Sequence, residues 1–257
     1  MYDSTNHNLV SEITTDIAPM GMVIDPTAKR LFVHNFLSRN VSVHDIGQLL
    51  EAESNGVSRL KTIDLVSSET LTAEELLGKQ IFYNAAESKM SKDNYMSCAA
   101  CHIDGGSDNR VWDSTQDQEG LRNTPTLHGR AGLAHGNLHW SGAFDELQDV
   151  ENEIRERFAG SGFLTTADYF ETQELDGPKK TGRNQQLDAL AAYVATLDSY
   201  GRSPKRNGDG SQTAESASGE GLFVASGCAT CHSGPTFTDS LSGNRHLIGS
   251  KGKGSRS

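Results

Sequence analysis

No stretch of this 257-residue chain offers the roughly 18 consecutive apolar residues that a membrane-spanning helix needs. The opening residues, Met1 to Asn6, contain neither a basic segment nor an apolar one, so the start does not read as a secretory leader. Positive charge is also short. There are 23 Lys and Arg against 34 Asp and Glu, a formal net charge of −11 that disfavours nucleic acid and anionic membrane as partners. Apolar residues make up only 35% of the chain, while glycine occurs 26 times. That composition suits a loop-rich fold completed by a prosthetic group, because the group itself supplies buried apolar surface. Methionine is absent beyond Met96, and cysteine occurs only 4 times.

What is there turns on those cysteines. They form Cys98-Ala-Ala-Cys101-His102 and Cys228-Ala-Thr-Cys231-His232, and none is left over. C-x-x-C-H is the attachment pattern of c-type haem. Two intervening residues let one helical turn present both thiols to the two vinyl groups, and the following His falls beneath the iron as proximal ligand. At this composition, chance would yield on the order of a few thousandths of one such match. A zinc ribbon pairs its two C-x-x-C elements about 15–20 residues apart, whereas 126 residues separate Cys101 from Cys228. A thioredoxin-like redox motif needs a βαβ context that neither site has. Disulfides within each pair leave the repeated His unexplained. The expectation is therefore two covalently bound haems, held by Cys98, Cys101, Cys228 and Cys231, with His102 and His232 on iron. Thioether attachment takes place outside the cytoplasm, so a periplasmic or otherwise extracytoplasmic location is expected. The missing leader then reads as the mark of a fragment whose start lies upstream.

Along the chain, residues 1–17 are polar loop. Met22–Asp25, Leu31–His34 and Val41–Asp45 read as short strands, with a turn at Pro26–Lys29. His34 and His44 are ordinary strand residues. Residues 72–87 read as a helix with Thr72 and Glu75 as a capping box and Leu76, Leu77, Ile81 and Phe82 as its apolar stripe. Residues 144–158 form a helix with Phe144, Leu147, Val150, Ile154 and Phe158 inward. A third helix, 185–199, is amphipathic through Leu187, Leu190, Ala191, Val194 and Leu197. Residues 201–218 are a Gly/Ser-rich linker. Residues 219–232 restart the helix-then-motif order, an internal repeat in kind. The tail from Gly249 reads as disordered.

Several segments resemble the dihaem cytochrome c peroxidase family, including its quinone-maturing dihaem oxidase branch. They are Gly78-Lys79-Gln80-Ile81-Phe82, the first haem motif, Leu121-Arg122-Asn123-Thr124-Pro125-Thr126-Leu127, Leu138-His139-Trp140-Ser141-Gly142, and residues 219–235. The strands Gly21–Pro26 and Arg30–Val33 resemble part of one blade of a YVTN-type β-propeller. These resemblances imply a mainly α chain of cytochrome c-like haem domains behind a short β fragment. The expected divisions are 1–50 for the strands, 70–200 for the first haem domain, 201–218 for the linker, and 219–257 for the start of a second, apparently truncated haem domain. In such proteins one haem accepts electrons and the other meets peroxide, with a Trp between them. Trp140, 38 residues past His102, matches that Trp. Arg122 matches an Arg placed to pair with a haem propionate. Packing and a surface position are the plain alternatives for Trp140 and Arg122. Trp112 reads as packing.

The sequence also departs from the pattern. Residues 103–121 contain no His to serve as a distal ligand, which would leave an iron position open to peroxide. His128, His135 and His139 read as packing or hydrogen-bonding residues. Neither Glu151 nor Glu153 matches the acid expected beside the peroxide. Only 25 residues follow His232, with no Met or Tyr among them to be the second iron's sixth ligand, and His246 is a weak substitute. No residue pattern speaks for a calcium ion. The resulting expectation is a dihaem, peroxidase-like protein, a cytochrome-c-peroxidase-type oxidoreductase fed by a small redox protein. The alternatives are a non-catalytic dihaem electron carrier or an oxidase acting on a partner protein.

Overall fold

Alternation of apolar and polar side chains marks the two middle strands of a sheet within residues 19–64. In the computed structural model, which describes residues 1, 5–51, 55–115, 119–242 and 244, four antiparallel strands follow one another in sequence order. They are β1 (Pro19–Asp25), β2 (Arg30–Asn35), β3 (Asn40–Asp45) and β4 (Ser58–Asp64). The Asp25 carboxylate accepts the amides of Thr27 and Ala28, both at 2.9 Å, and so closes the β1–β2 turn. Leu31, Val33 and Ile46, with Ile13 and Val57 against them, form a small core. The inward face continues as polar residues. Buried Asn35 donates to Asn40 Oδ1 at 2.8 Å and to Ser42 Oγ at 3.1 Å, and Ser42 Oγ lies 2.9 Å from the buried His44 Nε2. Burial lowers the His44 pKa, so the ring is kept neutral. A one-turn helix, α1 (Gly47–Leu50), follows β3.

The chain divides into two units, Met1–Thr72 and Ala73–Ser257. The second is organised by two crossing helices, α2 (Ala73–Tyr83) and α6 (Gln185–Ala195). Between them lie α3 (Cys98–Cys101), the hairpin β5 (Val111–Ser114) and β6 (Gly120–Asn123), α4 (Val150–Asn152) and α5 (Thr166–Glu171). The 3.6-residue period puts Ile81 and Phe82 of α2 against Leu187, Leu190, Tyr193 and Val194 of α6. Asn184 caps α6 through bonds from the amides of Gln186 and Leu187. At the crossing, a Cβ on Gly78 would stand 1.8 Å from the Ala189 carbonyl oxygen, so only glycine fits. Phe82 and Tyr193 meet edge-on at 5.3 Å. Residues 146–149 are tied to 180–181: buried Lys180 Nζ donates to buried Asp149 at 2.7 Å, and the Lys180 amide donates to Glu146 at 2.6 Å.

A mainly α chain is not what folds. About 30% of the residues are helical and 17% are in strands, in two small sheets. Three strands make the difference. β4 adds a fourth strand, every residue of which is exposed, so no inward apolar period marked it. β5 and β6 pair through Val111–Asn123, Trp112–Arg122, Asp113–Leu121 and Ser114–Gly120, a short hairpin mostly open to solvent. The helix expected over 144–158 is also broken. Phe144 pairs with Leu138 in an isolated bridge, and Glu146 and Asp149 form a reciprocal cap, so winding starts only at Leu147. It then passes from a 3₁₀ turn through α4 to a π turn at Glu153–Arg157. Helix α7 (Ala214–Ala225) begins inside the stretch read as linker, with Thr213 as its cap. His246 and the tail from Gly249 lie outside the described residues.

Gly78→Ala tests the crossing. The added methyl must push the helices apart, and overpacking of this kind costs about 3 kcal/mol. Chemical denaturation should show a lowered midpoint with the slope unchanged.

Candidate functional site

The first Cys-His motif is one helical turn held on the core. Ser97 precedes α3 in extended conformation, and the His102 amide closes the turn on the Cys98 carbonyl at 2.8 Å. Cys98 and Ala99 pack against the α2–α6 core. Both thiols are free. Burial pushes the Cys98 thiol up to about 12 and raises that of Cys101, so both stay protonated as S–H groups. The His102 ring is kept neutral because burial lowers its pKa, against a weaker pull from the nearby backbones of Gly106 and Pro125. Its Nδ1 is buried, and neither backbone closes a well-formed bond to it. Tyr83 Oη donates to Asp104 at 3.0 Å and fixes the turn that follows, where Asp104 and Gly105 both have positive φ.

Residues 124–142 form a loop laid against that turn. The Leu127 amide donates to the Gly105 carbonyl at 2.8 Å, and Ser107 Oγ donates to the Thr124 carbonyl at 2.8 Å. The loop then reaches the end of α6, where the Ala131 amide donates to the Leu197 carbonyl at 3.3 Å. Trp140 stands on its far arm, 49% exposed, with Nε1 donating to the Asn123 carbonyl at 2.9 Å. Beside it, buried Glu119 accepts from the amide and hydroxyl of Ser141 at 2.8 and 2.7 Å. His139 Nδ1 lies 3.7 Å from the same carboxylate, and its ring stacks on Phe144 at 3.9 Å.

The second motif follows α7. Cys228–Thr230 form a single 3₁₀ turn, and Gly227 before it adopts the left-handed conformation. The thiols are free here too. His232 Nδ1 lies 3.0 Å from the Phe237 carbonyl, which places the proton on Nδ1 and leaves Nε2 able to bind a metal. Phe223 flanks both His232 and Phe237, with centroids 6.3 and 6.2 Å away. No residue of α7 is buried, and Leu222 and Val224 stand open. A Cβ on Gly136 would meet the Ser240 Cβ at 2.5 Å, so the chain just past the second motif packs on the loop that carries Trp140.

These features fit covalent haem at both positions. Each thiol pair is free and spans one turn, the His102 ring is kept neutral by burial, the His232 Nδ1 faces the Phe237 carbonyl, and apolar side chains lie beside them. Among the described residues no group of three His, Cys, Asp or Glu side chains converges to hold a metal by itself. Trp140 bonds to the Asn123 carbonyl at the end of β6, and Arg122, the residue before it, donates from its guanidinium to the Leu121 carbonyl at 2.8 Å. His128 lies with its ring against Gly105, on the His102 side. Glu151 accepts the amides of Phe163 and Leu164 and an Arg155 bond at 2.7 Å, a structural task. Glu119 and the Phe237 carbonyl carried no sequence mark. A Glu preceding a Gly in a polar run looks like solvated surface, and a carbonyl is invisible in letters.

The family model described as "Di-haem cytochrome c peroxidase" matches residues 72–200. Comparison with curated proteins gives no match. Among solved structures, a chain from "Kuenenia stuttgartiensis Hydrazine Synthase Pressurized with 20 bar Xenon" is similar at 24% identity and a TM-score of 0.46, over 67% of this chain and 54% of that one. This chain thus spans about half the length of that structure.

Glu119→Ala removes the acceptor of two Ser141 bonds, a loss of about 1–3 kcal/mol local to the Trp140 turn. Hydrogen exchange should show the Ser141 amide losing protection while the α6 amides keep theirs.

Proposed function

Since the chain belongs to the di-haem cytochrome c peroxidase family, we propose that it carries electrons between two covalently bound haems and reduces hydrogen peroxide. Family membership implies haem c as the cofactor. In our reading Cys98 and Cys101 hold one haem and Cys228 and Cys231 the other, each by adding an S–H across a vinyl double bond, with no net oxidation. His102 and His232 are the proximal ligands. When bound, haem iron supplies one-electron chemistry and a site for a peroxide oxygen.

The observation that supports this reading is the loop 124–142. It begins against the turn of His102, packs at Gly136 on the segment past His232, and carries Trp140, whose Nε1 is bonded to the Asn123 carbonyl. A single stretch of chain so placed can set the spacing of two redox centres. The Asn123 carbonyl orients the Trp140 ring, and Glu119 clamps the residue after it. Two electrons and two protons convert one hydrogen peroxide to two waters. The electrons come from a small redox protein, and a net charge of −11 suits a basic one. No helix among the described residues is long and apolar enough to cross a membrane. We place the protein in the periplasm, where haem ligation occurs. We further assign 70–200 and 219–257 as haem-bearing segments, the expected linker 201–218 giving way to α7 from Ala214, and the strands within 1–50 as part of one propeller blade, which holds four antiparallel strands in sequence order.

Peroxide-dependent oxidation of a reduced donor, followed by stopped flow on haem-loaded protein, tests the proposal. Trp140→Phe should slow turnover at least tenfold, about 1.4 kcal/mol in barrier, with haem content unchanged. An unaltered rate would remove Trp140 from the path. No turnover, with two low-spin ferric haems, would make the protein a carrier. Oxidation of aromatic side chains on an added protein would make it an oxidase.

A further inference from the structure

We propose that Arg130 is a cofactor-binding residue, holding a propionate carboxylate of the haem attached at Cys98 and Cys101. The inference rests on the haem reading above and assigns a residue that no motif marked. Arg130 sits in the middle of the loop that clasps the His102 turn. Two residues earlier, the His128 ring lies against Gly105, 3.3 Å from where a Cβ would stand. One residue earlier, Gly129 has φ of +76° and lies so close to Tyr200 that a Cβ would stand 1.9 Å from its ring. One residue later, the Ala131 amide is tied to Leu197 at 3.3 Å. The backbone on both sides of Arg130 is therefore fixed beside the proximal turn.

Its side chain is poorly provided for by the protein alone. Nε is buried without a hydrogen-bond partner, and one terminal nitrogen reaches the Asn137 carbonyl only at 3.4 Å. Among the described residues no carboxylate forms an ion pair with it. Burial depresses its pKa with no charge to offset the effect, yet a guanidinium stays charged. Arg130 is partly buried, and a guanidinium whose inner nitrogen is enclosed without a partner gains from an anion brought from outside the chain. A carboxylate is the planar anion that a guanidinium fork takes up through two parallel bonds. A haem held at Cys98 and Cys101 would bring two such carboxylates with it. Arg122, the residue matched to this role from sequence, lies on β6 and donates to the Leu121 carbonyl.

The test is a redox titration of the intact haem-loaded protein, comparing wild type with Arg130→Gln and Arg130→Lys. Loss of the cation leaves the propionate's negative charge to favour ferric iron. In Arg130→Gln the ferrous-to-ferric ratio at fixed potential should fall about tenfold, equivalent to about 59 mV for one electron. Only one of the two redox waves should move, the one that Cys98→Ser/Cys101→Ser abolishes, and the pH at which that wave responds to propionate protonation should rise. Arg130→Lys keeps the charge but not the fork. It should hold the potential near wild type while shifting the propionate band in resonance Raman spectra. If Arg130→Gln fails to load, the Arg130→Lys Raman band decides alone. Unchanged potential, pH response and Raman band in a loaded variant would overturn the assignment. Wild-type protein without haem would instead overturn the underlying reading.

Discussion

A C-x-x-C-H turn is only four or five residues long, and it must present two thiols and an imidazole to a rigid ring. One turn cannot hold that geometry by itself, because an isolated helical nucleus is unfavourable. The structure supplies the missing rigidity at the α2–α6 crossing, where the backbone of α2 reaches the Ala189 carbonyl through the gap left at Gly78. Cys98 and Ala99 rest on the core which that contact makes. From the same crossing, the end of α6 receives the loop 124–142, and the loop in turn closes over the His102 turn. The fixed placement of His102, Trp140 and Arg130 descends from that one close approach.

The two motifs are supported differently. Around the first, the polypeptide provides a core of its own. At the second, α7 buries none of its residues, and Leu222, Val224 and Phe237 remain open. What is fixed there is local: the His232 ring is oriented by a carbonyl five residues on, and Phe223 flanks it. In our account, haem supplies much of the apolar surface on which this segment rests. The first site would then be largely formed before attachment, and the second would gain most from it.

How much of this could be read in letters follows from range. The motifs are local and complete in five residues each, so they were legible outright. Helices α2 and α6 were legible because a 3.6-residue apolar stripe survives any context, although α2 stops at Tyr83 rather than running to 87. The hairpin β5–β6 was not, since four-residue strands with exposed faces carry no alternation. The broken helix at 147–157 was missed because Glu146 and Asp149, unremarkable as letters, are buried and bind each other's backbone and Lys180. Arg130 was missed for a related reason. A lone Arg between Gly129 and Ala131 looks like surface, and its burial arises from a loop whose glycines at 129, 132 and 136 take positive φ and let the chain fold tightly.

The central claim is that four sulfurs bind two haems. Intact mass and pyridine haemochrome absorbance, taken on protein made in cells competent for c-type haem ligation, address it directly. The account predicts a mass exceeding the polypeptide by two haems, falling by one when Cys98 and Cys101 are replaced by Ser and by the other when Cys228 and Cys231 are. A polypeptide of unmodified mass with no Soret band would contradict it.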